Sequence, residues 1–161
     1  MEFRALTEAQ ASSFEENGYL VVRNALDAAM LARVTSAVDR VFERGVREEG
    51  LNRAGAYEKR NAIGLDDAFL DLLVWPATVP LVPQLLNWDI QLDTSHIIVR
   101  PPQPAGTSEG FKAIGWHRDG GIATHEISEP LPRLRLKICY VLSDLSQSGR
   151  GNTRFIPGSH K

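Results

Sequence analysis

The first half of the chain carries apolar residues at helical spacing. Six of them would share one face of a helix: Met30, Leu31, Val34, Val38, Val41 and Phe42. Asp27 precedes this pattern, and its carboxylate can accept a hydrogen bond from a backbone N–H of the first helical turn. The sequence therefore predicts an amphipathic helix from Asp27 to about Arg44 or beyond.

Shorter patterns lie on either side of this helix. Thr7 and Gln10 have the spacing of a capping box, which predicts a helix that begins there and ends at Gly18. Residues 19–22 are rich in β-branched and aromatic side chains and predict an early strand. Residues 45–64 combine glycine, charge and asparagine without periodicity, which predicts a loop, either a plain connector or a lid over a substrate.

Two further helices are predicted before strand patterns take over. One follows Asp66 and ends before Pro76, and the other covers residues 78–86. Beyond Trp88, a strand is predicted at 89–100.

The later strand patterns are short and separated by Gly- and Pro-rich loops. They cover residues 113–119, 134–142 and 153–156, and a polar hairpin connection at 143–152 joins the last two. In the middle pattern, apolar residues alternate with Arg135, Lys137 and others, as in a strand with one buried face. Such strands, with helices gathered near the N-terminus, are typical of an α+β domain built on a β-sandwich or barrel.

Length and composition fit one globular domain over residues 1–161. Residues 1–87 would form a helical layer, and residues 88–161 would form the first part of the β-rich core. The net charge of -2 gives no basic field for nucleic acid or a membrane surface, and no apolar run is long enough to span a membrane. Cys139 has no second cysteine to pair with, and no secretory signal is visible. We expect a cytoplasmic protein without nucleic-acid or membrane partners; homo-oligomerisation stays open.

The candidate chemistry centres on Trp116-His117-Arg118-Asp119. In an extended strand, side chains two residues apart point the same way, so His117 and Asp119 would converge while Arg118 points away. An imidazole and a carboxylate suit a divalent metal such as iron or zinc, and a second imidazole would complete the facial triad of non-haem Fe(II) oxygenases.

Two motifs together resemble the phytanoyl-CoA dioxygenase family of Fe(II)/2-oxoglutarate oxygenases. The first is Trp116-His117-x-Asp119 followed by two glycines, and the second is the run Gly-Asn-Thr-Arg-Phe-Ile-Pro-Gly-Ser-His at residues 151–160. A helix followed by Gly-Tyr-Leu-Val-Val, as at residues 18–22, is also similar to the start of family members. The resemblance implies a double-stranded β-helix (a cupin-like jelly-roll) with the N-terminal helices packed outside.

The resemblance also implies a site. His117 and Asp119 would be metal ligands and catalytic residues, with Fe(II) as the metal, 2-oxoglutarate and O2 as co-substrates, and a small molecule as the substrate. The family also has a late-strand histidine as third ligand and an arginine for 2-oxoglutarate, and neither can be assigned here. His125 is too close to the first pair, and His160 corresponds to a family histidine that is not a ligand.

The jelly-roll is therefore expected to be incomplete at its C-terminal end. Either the chain is the first part of a longer oxygenase, which we favour, or it is a short relative without a complete site. Completion by a second copy of the chain is a third route.

Two further residues are candidates for binding the co-substrate. His96 lies on the strand before the motif, at a position that lines the co-substrate pocket in family members; its alternative is a half-buried strand histidine. Lys137 could pair with a carboxylate of 2-oxoglutarate if its face lines the barrel interior, and a solvated strand lysine is its alternative.

The leading interpretation is a dioxygenase that hydroxylates a C–H bond of a small molecule. A truncated or non-catalytic jelly-roll relative that acts as a binding or scaffold domain is a second interpretation. A zinc or manganese cupin with hydrolase or isomerase activity is a third, because the same ligand types accept those metals.

Overall fold

The computed structural model describes residues 4–100, 116–117, 133–147 and 150–161. Its regular elements are helices α1 (Glu8–Asn17), α2 (Ala28–Glu48), α3 (Asp67–Leu72) and α4 (Leu81–Leu86), strands β1 (Tyr57–Arg60) and β2 (His96–Val99), and a 3-10 turn at Ala62–Leu65. Over these described ranges no helix combines the length and the apolar character that crossing a membrane requires. The described part is thus α+β, as the sequence predicts.

Local capping chemistry sets the ends of the first two helices. The Thr7 side chain accepts from the Gln10 N–H, and the Gln10 side-chain oxygen accepts from the Thr7 N–H, so the predicted capping box is confirmed. Gly18 ends α1 with a φ of 80°, a left-handed conformation that glycine adopts without steric cost. Asp27 caps α2 through a 2.7 Å bond from the Met30 N–H to its carboxylate.

The next two helices are also confirmed, and they are short. Asp66 caps α3 by accepting from the Ala68 N–H. The predicted helix at 78–86 is helical only over α4, which contains Pro83 as its third residue. Proline is tolerated there because the N–H groups of the first helical turn have no partner within the helix.

The prediction of a loop over residues 45–64 is wrong at both ends. Helix α2 extends to Glu48, and Tyr57–Arg60 forms β1, which pairs antiparallel with β2 so that Tyr57 faces Val99 and Arg60 faces His96. The strand forms despite three charged residues in four because Tyr57 is buried and the backbone of β2 supplies the partner. The predicted strand at 89–100 is regular only over β2.

Three other predicted strands are wrong for the residues that the structure describes. Residues 19–22, 134–142 and 153–156 belong to no β-ladder there. A strand is stabilised by its neighbour, and Tyr19 instead stacks its ring on Phe155, with the centroids 4.9 Å apart. Residues 113–115 and 118–119 of the predicted metal-bearing strand lie outside the described residues, and Trp116 and His117 have no regular structure.

Residues 134–142 keep part of the predicted alternation of buried and exposed side chains, although they pair with no strand among the described residues. Its half-buried residues, Leu136, Tyr140 and Leu142, all belong to the predicted apolar face, whereas Cys139 on the other face is exposed. The Tyr140 hydroxyl lies 2.5 Å from the hydroxyl of buried Thr78. Burial raises the pKa of Tyr140, and the Thr78 bond opposes that rise. This contact fixes the segment against the helical part.

One hydrophobic cluster joins α2 to the β1–β2 pair and α3. Its buried members are Met30, Val34, Ala37, Val41, Tyr57, Ala62, Ala68, Phe69 and Ile97. Four of these are the inward face of α2, of which three, Met30, Val34 and Val41, belong to the predicted apolar face. The long helix therefore serves as the support on which the small sheet packs.

Acid is expected to weaken the junction between α2 and α3. Arg40 donates to the Asp66 carboxylate at 2.6 Å, and this bond, together with the cap bond from Ala68, lowers the pKa of Asp66. Because the folded state favours ionised Asp66, its contribution is complete above the usual aspartate range and is lost as the pH falls through the lowered pKa. Urea unfolding measured from about pH 2 to about pH 6, the range in which carboxyl groups titrate, should show the free energy of unfolding falling as the pH falls.

Asp66→Asn is the matched variant, since it keeps the capping oxygen and removes the charge. It should lower the free energy of unfolding near neutral pH and flatten the acid slope. An unchanged slope in this variant would contradict the assignment of the slope to Asp66.

Candidate metal-binding site

Trp116 and His117 lie on the wall of a cavity of about 410 Å³. The other described residues that line it belong to the 151–160 run: Arg154, Phe155, Ile156 and Ser159. Both Trp116 and His117 are exposed. The two sequence motifs that are about 35 residues apart in the chain therefore meet at one cavity.

Backbone hydrogen bonds shape the wall formed by residues 154–159. The Ser159 N–H donates to the Ile156 carbonyl at 3.1 Å, and Gly158 takes a φ of 77° in the same turn. The Gly158 N–H donates to the Asn17 carbonyl at the end of α1, also at 3.1 Å. The proline and glycine of the run thus make a tight turn that is attached to the first helix.

A polar connection precedes this wall. Arg150 donates to the Asp144 carboxylate at 2.9 Å, and the Asn152 amide donates to the Leu145 carbonyl at 2.6 Å. Hydrogen bonds from Ser146, with the charge of Arg150, lower the pKa of Asp144. These bonds close the turn predicted between residues 143 and 152, although no strands flank it among the described residues.

The described lining is cationic and aromatic. The Arg154 guanidinium carbon lies 6.0 Å from the centre of the Trp116 ring, within the range of a cation–π contact. The described lining residues include no carboxylate. A cation beside an aromatic ring suits a small ligand with an anionic group and an apolar body.

Arg154 and Phe155 are lining residues that the sequence reasoning did not identify. The signal was present, since both belong to the run that carries the family resemblance. The turn residues of that run carry the resemblance, and the pattern at 153–156 predicts only a return strand for the side chains between them. A side chain's approach to Trp116 depends on tertiary placement, which the local pattern does not contain.

His96 and Lys137, two further predicted site residues, lie away from this cavity. His96 is exposed at the start of β2, on the sheet face opposite to buried Ile97, and pairs in register with Arg60. Lys137 is exposed in the irregular segment at 133–142. Neither lines the cavity of His117. Asp119 lies outside the described residues, so its role as a ligand stays a prediction, as do the roles of His96 and Lys137.

Of the two predicted metal ligands, only His117 is among the described residues, and it fits an iron site. The exposed His117 side chain lines the cavity, and imidazole is a ligand type that iron and zinc accept. Within the described ranges, no three His, Cys, Asp or Glu side chains are grouped closely enough to hold a metal ion. The sequence adds the Asp119 carboxylate two residues beyond His117.

Comparison with known proteins assigns the class. Residues 14–161 match the model of the phytanoyl-CoA dioxygenase (PhyH) family, and the chain belongs to that family. The resemblance found from the two motifs is therefore confirmed.

The curated relatives that the chain matches are ectoine dioxygenases. The chain is 27% identical over 164 residues to that of Bordetella bronchiseptica and 26% identical over 159 residues to that of Stutzerimonas stutzeri. These alignments cover 98% and 92% of this chain but 50% and 48% of the relatives, so the chain spans about half their length. No solved structure matches.

Proposed function

We propose that the protein is an Fe(II)- and 2-oxoglutarate-dependent dioxygenase that hydroxylates a C–H bond of a small molecule. The observation that carries the proposal is the position of His117. It lies within the family match, directly after Trp116, on the wall of a cavity that residues of the second motif also line. A jelly-roll core around this cavity belongs to the same proposal.

His117 and Asp119 would hold the iron. When bound, iron with 2-oxoglutarate and O2 supplies the oxidising chemistry that no amino-acid side chain provides. The part left to the protein is to hold its ligands in place, to orient the substrate and to keep water away from the reacting carbon. His117 would serve as a ligand, and Trp116 and Phe155 offer apolar surface to a substrate.

The size and charge of the cavity favour a small substrate with an anionic group. A volume of about 410 Å³ lies within the usual range for small-molecule pockets. Arg154 places a positive charge at its wall, where a carboxylate of the substrate or of 2-oxoglutarate would be attracted. Lys137 and His96 stay proposed as co-substrate contacts on the family resemblance alone, since neither lines the described wall of this cavity. The relatives' names make ectoine the first substrate to test.

The test is turnover of 2-oxoglutarate to succinate by the expressed gene product, with Fe(II), ascorbate and O2 supplied. Its intact mass should be measured on the same sample. Ectoine and a panel of small carboxylates are added singly, and a hydroxylated product is sought by mass spectrometry. Succinate formed in step with a hydroxylated product would support the proposal.

Two other outcomes would replace it. Metal binding without O2 consumption would favour a zinc or manganese hydrolase or isomerase. Neither metal binding nor turnover by the full gene product would favour a binding or scaffold domain.

A further inference from the structure

The C-terminal end of α1 is closed by the Pro-Gly-Ser-His turn, residues 157–160. The last carbonyl groups of a helix have no partner within it and need one from elsewhere. Gly18 donates to the Phe14 carbonyl, Gly158 donates to that of Asn17 at 3.1 Å, and His160 Nε2 lies 3.2 Å from that of Glu15. Since a carbonyl only accepts, Nε2 of His160 is the donor.

Gly18 leaves the space into which the imidazole packs. A Cβ at this position would overlap the His160 ring, and the φ of 80° is one that other residues rarely adopt. The glycine therefore serves two needs at once, since it ends the helix and it admits the ring. Tyr19 continues the contact by stacking on Phe155.

The turn that closes α1 also forms the wall of the His117 cavity. Ser159, next to His160, lines that cavity, as do Phe155 and Arg154, which approaches the Trp116 ring. A change in the way His160 is held would thus move residues that face His117. His160 is itself exposed, so its effect on the wall would come from its hydrogen bond to Glu15 and its contact with Gly18.

We propose that His160 is a positioning residue, which holds the 154–159 wall at the site by donating to the end of α1. The proposal deepens the proposed function, because it concerns the wall of the same cavity. The contact itself does not depend on that function, so it can be tested without turnover.

Labelling with 5-fluorotryptophan gives the test. The chain has three tryptophans, so ¹⁹F NMR should show three resonances, and Trp116→Phe assigns the relevant one. His160→Leu keeps much of the bulk and removes the donor, and should shift the Trp116 resonance while those of Trp75 and Trp88 stay in place. His160→Gln, whose amide can replace Nε2 as a donor, should restore the Trp116 shift.

Arg133→Leu is the control for a general loosening of α1. Arg133 pairs with Glu15 at 2.7 Å and lies over the Phe14 ring, so it holds the same helix, and it is not among the residues that line the cavity. Its loss should lower the melting temperature and leave the Trp116 resonance unmoved. An equal shift of Trp116 in Arg133→Leu and His160→Leu would overturn the proposal, as would no shift in folded His160→Leu.

A second pair of variants covers the case in which His160→Leu does not fold. Gly18→Ala keeps the imidazole but displaces it, and should shift Trp116. Gly50→Ala carries the same left-handed strain, with a φ of 76°, but has open space around it. It should leave Trp116 in place. If both glycine variants shift Trp116 alike, backbone strain and not the His160 contact is the cause, and the proposal fails.

Discussion

Replacing His117 by alanine is expected to abolish 2-oxoglutarate turnover and to weaken metal binding. Loss of a residue that only supports a ligand typically costs about 10–100-fold in metal affinity or activity, so loss of a ligand should cost on the order of 100-fold or more. Asp119→Ala should act in the same way. The two measurements are succinate formation and Fe(II) or Co(II) titration of the same variants, followed by absorption spectroscopy.

His125→Ala is the matched control, because it removes an imidazole close in sequence that is not predicted to be a ligand. It should retain both turnover and metal binding. Full turnover by either His117→Ala or Asp119→Ala, with iron binding intact, would remove the basis of the proposed metal site. Loss of turnover with unchanged metal affinity would assign His117 to substrate binding instead.

Gly45→Ala is expected to destabilise the fold although it replaces glycine in a helix. Alanine should gain about 1 kcal/mol in helix propensity. Its Cβ, however, would overlap the hydroxyl and ring of Tyr57, which is 3% exposed and packs edge-on against Phe42. Overpacking of this kind costs roughly 1–3 kcal/mol, and the close overlap favours the upper end, so the net loss should be about 1–2 kcal/mol.

Urea unfolding followed by circular dichroism measures this difference. Gly64→Ala provides the comparison, since no atom lies within 4 Å of its added Cβ and its φ is not left-handed. Gly64→Ala should leave the free energy of unfolding unchanged or raise it by about 0.4–1 kcal/mol, because alanine lowers the conformational entropy of the unfolded chain. A Gly45→Ala protein as stable as Gly64→Ala would show that the Tyr57 ring yields at little cost.

The helices could be predicted from the sequence because their signals are local. The Thr7–Gln10 box, the Asp27 cap and the apolar spacing of α2 all act within a few residues, and each is found as predicted. Strand β1 could not be predicted in this way. Nothing in Tyr-Glu-Lys-Arg separates it from a loop, and its pairing with residues 96–99 and the burial of Tyr57 decide its structure.

At residues 19–22 and 134–142 the sequence predicts strands that are absent from the described part of the structure. Both have strong β-type composition, yet a strand also needs a neighbour at hydrogen-bonding distance, and a single segment does not specify one. The site shows the same division. The motif identified His117 from residue types alone, whereas the approach of Arg154 to Trp116 follows from the fold of a distant segment.

The bond between His160 and Glu15 spans 145 residues of chain and bears on the order of folding. Helix α1 has ten residues, of which only Phe14 is buried, and isolated helices shorter than about 12–15 residues are marginal in water. The contacts of α2 with β1 and α3 are closer in sequence and cost less loop entropy. During synthesis, the contact between helix α1 and His160 can therefore form only after residue 160 has left the ribosome.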